Sequence, residues 1–155
     1  MKKILKWIAL GGIAMVALLQ LTNPPRTNPP VIQDFTAANS PPPEVAALLH
    51  AACYDCHSHV TRWPWYSKVA PMSWLISSDV TEGRKHLNLS NWPVEQPERV
   101  VKWLDNMEDE IGNGEMPPKK YTTIHADARL TAAQRKVLTD WLEAQSARQR
   151  ITPVK

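Results

Sequence analysis

Cysteine is nearly absent from this chain. Its 155 residues hold two, Cys53 and Cys56, with no second pair. A structural zinc ion takes four ligands, usually delivered as two pairs. His57, His59, His86 and His125 form no H-x₃₋₅-H pair to replace the missing half. Strand patterning is lacking too: no stretch alternates convincingly, which removes the βαβ setting in which a thioredoxin-like C-x-x-C works. Net charge is small outside the N-terminus. The formal +3 rests on Lys2, Lys3, Lys6 and Arg26; the remainder carries 14 basic and 15 acidic residues, a net of −1. A nucleic-acid binder would show a basic patch in its folded part, and this chain has none in prospect. No internal repeat is visible.

What is present divides into three stretches. The first 21 residues, MKKILKWIALGGIAMVALLQL, are a basic cluster followed by an apolar run. As a helix, Ile4 to Leu21 would reach roughly 27 Å, close to the thickness of about 30 Å of a hydrocarbon core. Lys6 and Trp7 suit the cytoplasmic interface. No small-x-small cleavage site follows the run, so the expectation is an uncleaved signal-anchor in the inner membrane with everything after Leu21 in the periplasm. The alternative is a cleaved signal peptide and a soluble periplasmic protein. Residues 22 to 43 hold seven of the 14 prolines and read as a linker of polyproline II character, long enough to span up to roughly 70 Å.

From residue 44 the pattern is helical, and residues 44–155 read as one all-α domain. Val45, Leu48, Leu49, Ala52 and Cys56 form one apolar stripe. Pro71 opens a second helix with Met72, Ile76, Val80, Gly83 and Leu87 on a shared face. Pro97 opens a third, with Val100, Leu104, Met107 and Ile111 inward and Gly112 and Gly114 at its end. Thr131 and Gln134 have capping-box spacing for a last helix whose inner face is Val137, Leu138, Trp141 and Leu142.

The stretch CYDCHSHV, residues 53 to 60, places both cysteines beside a histidine. Positions i and i+3 of a helical turn share a face. Cys53 and Cys56 are therefore each placed to form a thioether to a haem vinyl group, with His57 as proximal iron ligand; C-x-x-C-H is a specific signal for this. Covalent attachment of haem c takes place after export, which the N-terminus independently predicts. For the opposite side of the iron, His59 is too near His57, and Met107 reads as core. Met116, in GNGEMPP and 59 residues beyond His57, is the expected distal ligand, held by Pro117 and Pro118 after a glycine-rich turn. Met72 is the runner-up, although its spacing suits core. RWPWYS, residues 62 to 67, reads either as core or as a wall of the haem pocket with a side chain reaching a propionate. The acidic run from Asp105 to Glu115 reads as a solvated face or a docking surface, and His125 as a loop histidine hydrogen-bonded locally.

CYDCHS, RWPWYS, PMSWL, DVTEGRKHLNLS, GEMPP and YTTIHADARL together resemble the bacterial haem-binding domain family of small monohaem c-type cytochromes, over about residues 42 to 145. The resemblance implies a cytochrome c-like fold with Cys53 and Cys56 attaching the haem, His57 proximal and Met116 at the family's MPP methionine. The leading expectation is a membrane-tethered electron carrier, not itself an enzyme, exchanging single electrons with redox partner proteins in or at the membrane. Six-coordinate His–Met iron leaves no position for substrate and suits that role. The alternatives are a haem sensor or small peroxidase with a displaceable Met116, and a haem-bearing subunit of a larger oxidoreductase.

Overall fold

The computed structural model describes residues 2 to 151. Met1 of the expected anchor and the last four residues of the domain expected over 44–155 lie outside them. Among the described residues there is no strand, and the fold is all-α. Eight helices follow in order: α1 (Lys2–Leu19), α2 (Phe35–Asn39), α3 (Pro43–Ala52), α4 (Tyr54–His57), α5 (Met72–His86), α6 (Pro97–Gly112), α7 (Lys119–Ile124) and α8 (Ala132–Ile151).

The framework is the α6–α8 pair. Val100, Leu104, Met107 and Ile111 recur at helical spacing on α6 and are all buried; Leu138 and Leu142 of α8 meet them. The start of α8 is fixed by its capping box, in which Gln134 N–H donates to Thr131 Oγ1 and Thr131 N–H donates to Gln134 Oε1. Pro97 occupies the first turn of α6, where its missing N–H costs nothing. Beyond the helix, Gly114 turns the chain with φ +81°, a left-handed conformation natural to glycine. Arg135 of α8 then clamps this turn, donating to the carbonyls of Ile111 and Met116.

Two elements differ from the pattern read in the sequence. The stripe from Val45 to Cys56 is not one helix. Cys53, at φ −120° and ψ −40°, leaves helical geometry and separates α3 from the single turn of α4. The larger difference lies in the proline-rich segment, whose second half is part of the fold rather than a free spacer. Phe35 is fully buried, edge-on to Trp92 at 4.5 Å and to Trp141 at 5.9 Å. Asp34 caps α2 by accepting from Ala37 N–H. Backbone bonds tie Ile32 and Gln33 to Ser90 O, Phe35 to Leu89 O and Trp92 to Gln33 O. A buried aromatic and a run of main-chain bonds outweigh the extended tendency of the neighbouring prolines. The first half, residues 23 to 31, lies back along the domain: Arg26 donates to Ser67 O, Asn28 to Thr61 O, and Arg84 of α5 to Thr27 O.

Candidate functional site

The single turn of α4 carries Cys56 and His57, with Cys53 capping its start, and is pressed against α5. Gly83 makes this possible, because a Cβ there would stand 2.6 Å from the Cys56 carbonyl oxygen. The close approach also brings the α5 carbonyls to His57. Nδ1 of His57 donates to Gly83 O at 2.9 Å and Leu87 O at 3.1 Å. A carbonyl only accepts, so this pair of bonds puts the proton on Nδ1 and leaves the Nε2 lone pair available to a metal. Burial pushes the imidazole pKa down, against the opposing pull of these carbonyls. From the other side, Leu89 N–H donates to His57 O at 2.7 Å, so the segment paired with residues 32 to 35 also holds the end of α4.

Cys53 and Cys56 are both free thiols. Burial pushes Cys53 up to about 12 and Cys56 up to about 11; Asp79 and Asp55 add to the rise at Cys56. Neither carries thiolate near neutral pH, unlike the low-pKa cysteines of disulfide exchange. Among the described residues, no three His, Cys, Asp or Glu side chains gather as a metal-binding group.

Beside Cys56 opens a cleft of about 590 Å³, counting the part open to solvent. Met72, Leu75, Ile76 and Val80 of α5 line it together with Ile124 of α7 and Pro64. Met72 and Leu75 are 38% and 46% exposed, so this is apolar surface without a protein cover. The rim is polar. Asp55 accepts from Arg62 N–H, from the Arg62 guanidinium and from Tyr121 OH at 2.8 Å. Burial alone would raise the Asp55 carboxyl, but these donors outweigh it and hold it below the usual carboxylate range. Tyr66 OH donates to His125 Nε2 at 2.8 Å, while His125 Nδ1 donates to Tyr121 O.

The structure thus brings Cys53, Cys56 and His57 together on one turn, as their spacing requires. Met116 is half-buried against the apolar core on which Cys53 also packs and, like Cys53 and His57, is not among the residues lining the cleft. Met72, whose spacing suggested core, lines the cleft instead. RWPWYS contributes Arg62, Pro64 and Tyr66 to the lining of the cleft, as the wall reading expects, while Trp63 donates to Asn28 and Trp65 is 76% exposed. His125 has the local bond expected of it. Asp55, Gly83 and Tyr121 were not singled out as site residues. Asp55 lies inside the motif, in the positions between the cysteines, and that was the signal available.

The domain is all-helical, with an oriented histidine and two free thiols on one turn and, beside that turn, an apolar cleft that Cys56 lines and Cys53 and His57 do not. The haem-binding domain family model matches residues 14–144, and the chain belongs to that family. No curated protein and no solved structure matches the chain. The matched span reaches from the end of α1 through the proline-rich segment to α8, so the segment packed around Phe35 falls within the family domain. Haem fits the residues present: an imidazole whose Nδ1 is bonded to carbonyls and whose Nε2 has no partner, and beside its turn a cleft with apolar lining and the polar side chains Arg62, Lys120 and Tyr66.

Proposed function

We propose that the protein is a monohaem c-type cytochrome, tethered to the inner membrane by α1 with its domain in the periplasm, that passes single electrons between redox partner proteins. The observation that carries this reading is the double hydrogen bond from His57 Nδ1 to the α5 carbonyls, beside two thiols on the same turn. Cys53 and Cys56 would hold the haem covalently, and His57 through Nε2 together with Met116 would bind its iron. Bound haem supplies a one-electron couple at the iron. The chain's own part is to orient His57 through Gly83 and Leu87, exclude water with the α5 side chains, and steady the rim through Asp55, Arg62 and Tyr121. The protein is then a carrier and not an enzyme. The anchor rests on α1, which continues through Thr22 as a span long and apolar enough to cross a membrane, with none of it buried in the domain.

One observation favours a second reading. Met72 and Cys56 line the cleft, while Met116, like His57, does not; in this second reading Met72 is the ligand or the distal position is open, as in a gas sensor or small peroxidase. Denaturing gels stained for haem and visible spectra separate these. The double variant C53A/C56A should show no haem band; a band at wild-type strength overturns covalent attachment. Met116→Ala should remove the weak red absorption of a methionine–iron bond and let the reduced protein bind carbon monoxide, while Met72→Leu changes neither. The reverse pattern moves the ligand to Met72. Ready binding of carbon monoxide by the wild type moves the function to sensor or peroxidase.

A further inference from the structure

The end of α1 does not hang free of the domain. Gln20 Oε1 accepts from Ala70 N–H at 3.0 Å, Thr22 O from Trp74 Nε1 at 3.0 Å, and Asn23 Oδ1 from Ser73 Oγ at 2.5 Å. Asn23 Nδ2 donates in turn to Lys68 O at 3.1 Å. Residues 68 to 74 are thus sewn to the turn that follows α1, which among the described residues is the one helix long and apolar enough to cross a membrane. A bilayer containing α1 has its surface at this turn, because Leu21 closes the apolar run. Around the seam the domain exposes Trp65 (76%), Val69 (42%) and Trp74 (37%), with Leu21 at 82%. None of these lines the cleft, so a ligand seated there leaves them bare. Residues 63 to 78 contain no acidic residue and one cation, Lys68, which is exposed.

From this seam and its surroundings we infer that the domain lies on the bilayer, with Trp65, Val69 and Trp74 in the lipid interface around the anchor. Tryptophan is the side chain suited to that depth, and Lys68 faces lipid phosphate. Residues 23 to 31, bonded back along the domain, act as a strap that holds this posture instead of a spacer that lifts the domain away. The cleft edge formed by Met72 and Leu75 lies on the same helix as Trp74 and is kept close to the membrane, within reach of membrane-embedded redox partners. The inference rests on the proposed anchor, and its test separates the two.

Full-length protein in native membranes would carry the photo-cross-linking residue p-benzoylphenylalanine at position 65, at position 69, or at position 136 on α8, which packs on α6 and α3. After irradiation, lipid adducts are read by mass spectrometry, and the same membranes are washed with salt and with detergent. The expected result is adducts at 65 and 69, at least several-fold above 136, with release by detergent alone. Adding Gln20→Ala and Asn23→Ala should lower the adducts at 65 while the protein stays in the membrane. Detergent-only release without adducts at 65 and 69, or with equal adducts at 136, overturns the docking and leaves the anchor intact. Release by salt, with a mature chain beginning beyond Leu21, removes the anchor and the docking together.

Discussion

At Gly83 the atom that a new Cβ would meet is a main-chain carbonyl oxygen, that of Cys56, which cannot swing aside as a side-chain tip would. Gly83→Ala should therefore push α5 off α4 and carry its carbonyls away from His57 Nδ1. Overpacking of this kind costs about 1–3 kcal/mol. The expected outcome is a lower thermal midpoint together with less haem per protein, measured by circular dichroism and by the haem-to-protein absorbance ratio. Gly112→Ala is the control, since its nearest neighbour, Thr139 Cγ2, stands at 3.9 Å and leaves room. A Gly83→Ala protein that matches this control would show that the helix contact is slack. The C-x-x-C-H cluster was legible because its three residues are local and their chemistry is specific. Gly83 was legible only as an inward position on its helix. The Asp55, Arg62 and Tyr121 cluster was not legible at all, because Tyr121 arrives from 66 positions away.

Helix ends marked by local chemistry matched the sequence reading: Pro71 before α5, Pro97 at the start of α6, and the Thr131–Gln134 box before α8. α2 escaped it. Five residues between prolines show no periodicity, and one apolar side chain, Phe35, supplies its whole buried face. Its cap gives a test at the same scale. Partial burial alone would raise the Asp34 carboxyl, but donors from Thr36 Oγ1, Ala37 N–H and Tyr54 OH outweigh it and hold its pKa below the ordinary 3.8. A carboxylate with a depressed folded pKa contributes stability above its unfolded pKa and loses it as pH falls through the folded value. Asp34→Asn should lower stability at pH 7 and flatten the acid limb below about pH 4. Denaturant titrations of both proteins across that range measure the difference; parallel acid limbs would remove Asp34 from the account.

At the level of the whole molecule, the boundary suggested by composition and the boundary of the packed unit fall at different places. Proline content marks residues 22 to 43 as a spacer. Composition, however, does not register Phe35 between Trp92 and Trp141, nor the main-chain bonds from residues 32 to 35 to residues 89 to 92. Those bonds reach the site, because Leu89, which accepts from Phe35 N–H, donates to His57 O. Losing a buried phenylalanine costs about 3–5 kcal/mol, a large share of the roughly 5–15 kcal/mol that holds a typical domain. Two shortened chains, exported behind the same cleavable signal peptide, should therefore behave differently. One beginning at Asn23 keeps the strap and α2 and should load haem with a cooperative thermal transition. One beginning at Glu44 loses both and should unfold at lower temperature, with a weaker near-ultraviolet signal from Trp92 and Trp141 and less haem per protein. Phe35→Ala in the longer chain should fall between them. If the chain beginning at Glu44 matches the longer one in midpoint and haem content, residues 23 to 43 are a linker, and the packing seen around Phe35 contributes nothing to the fold.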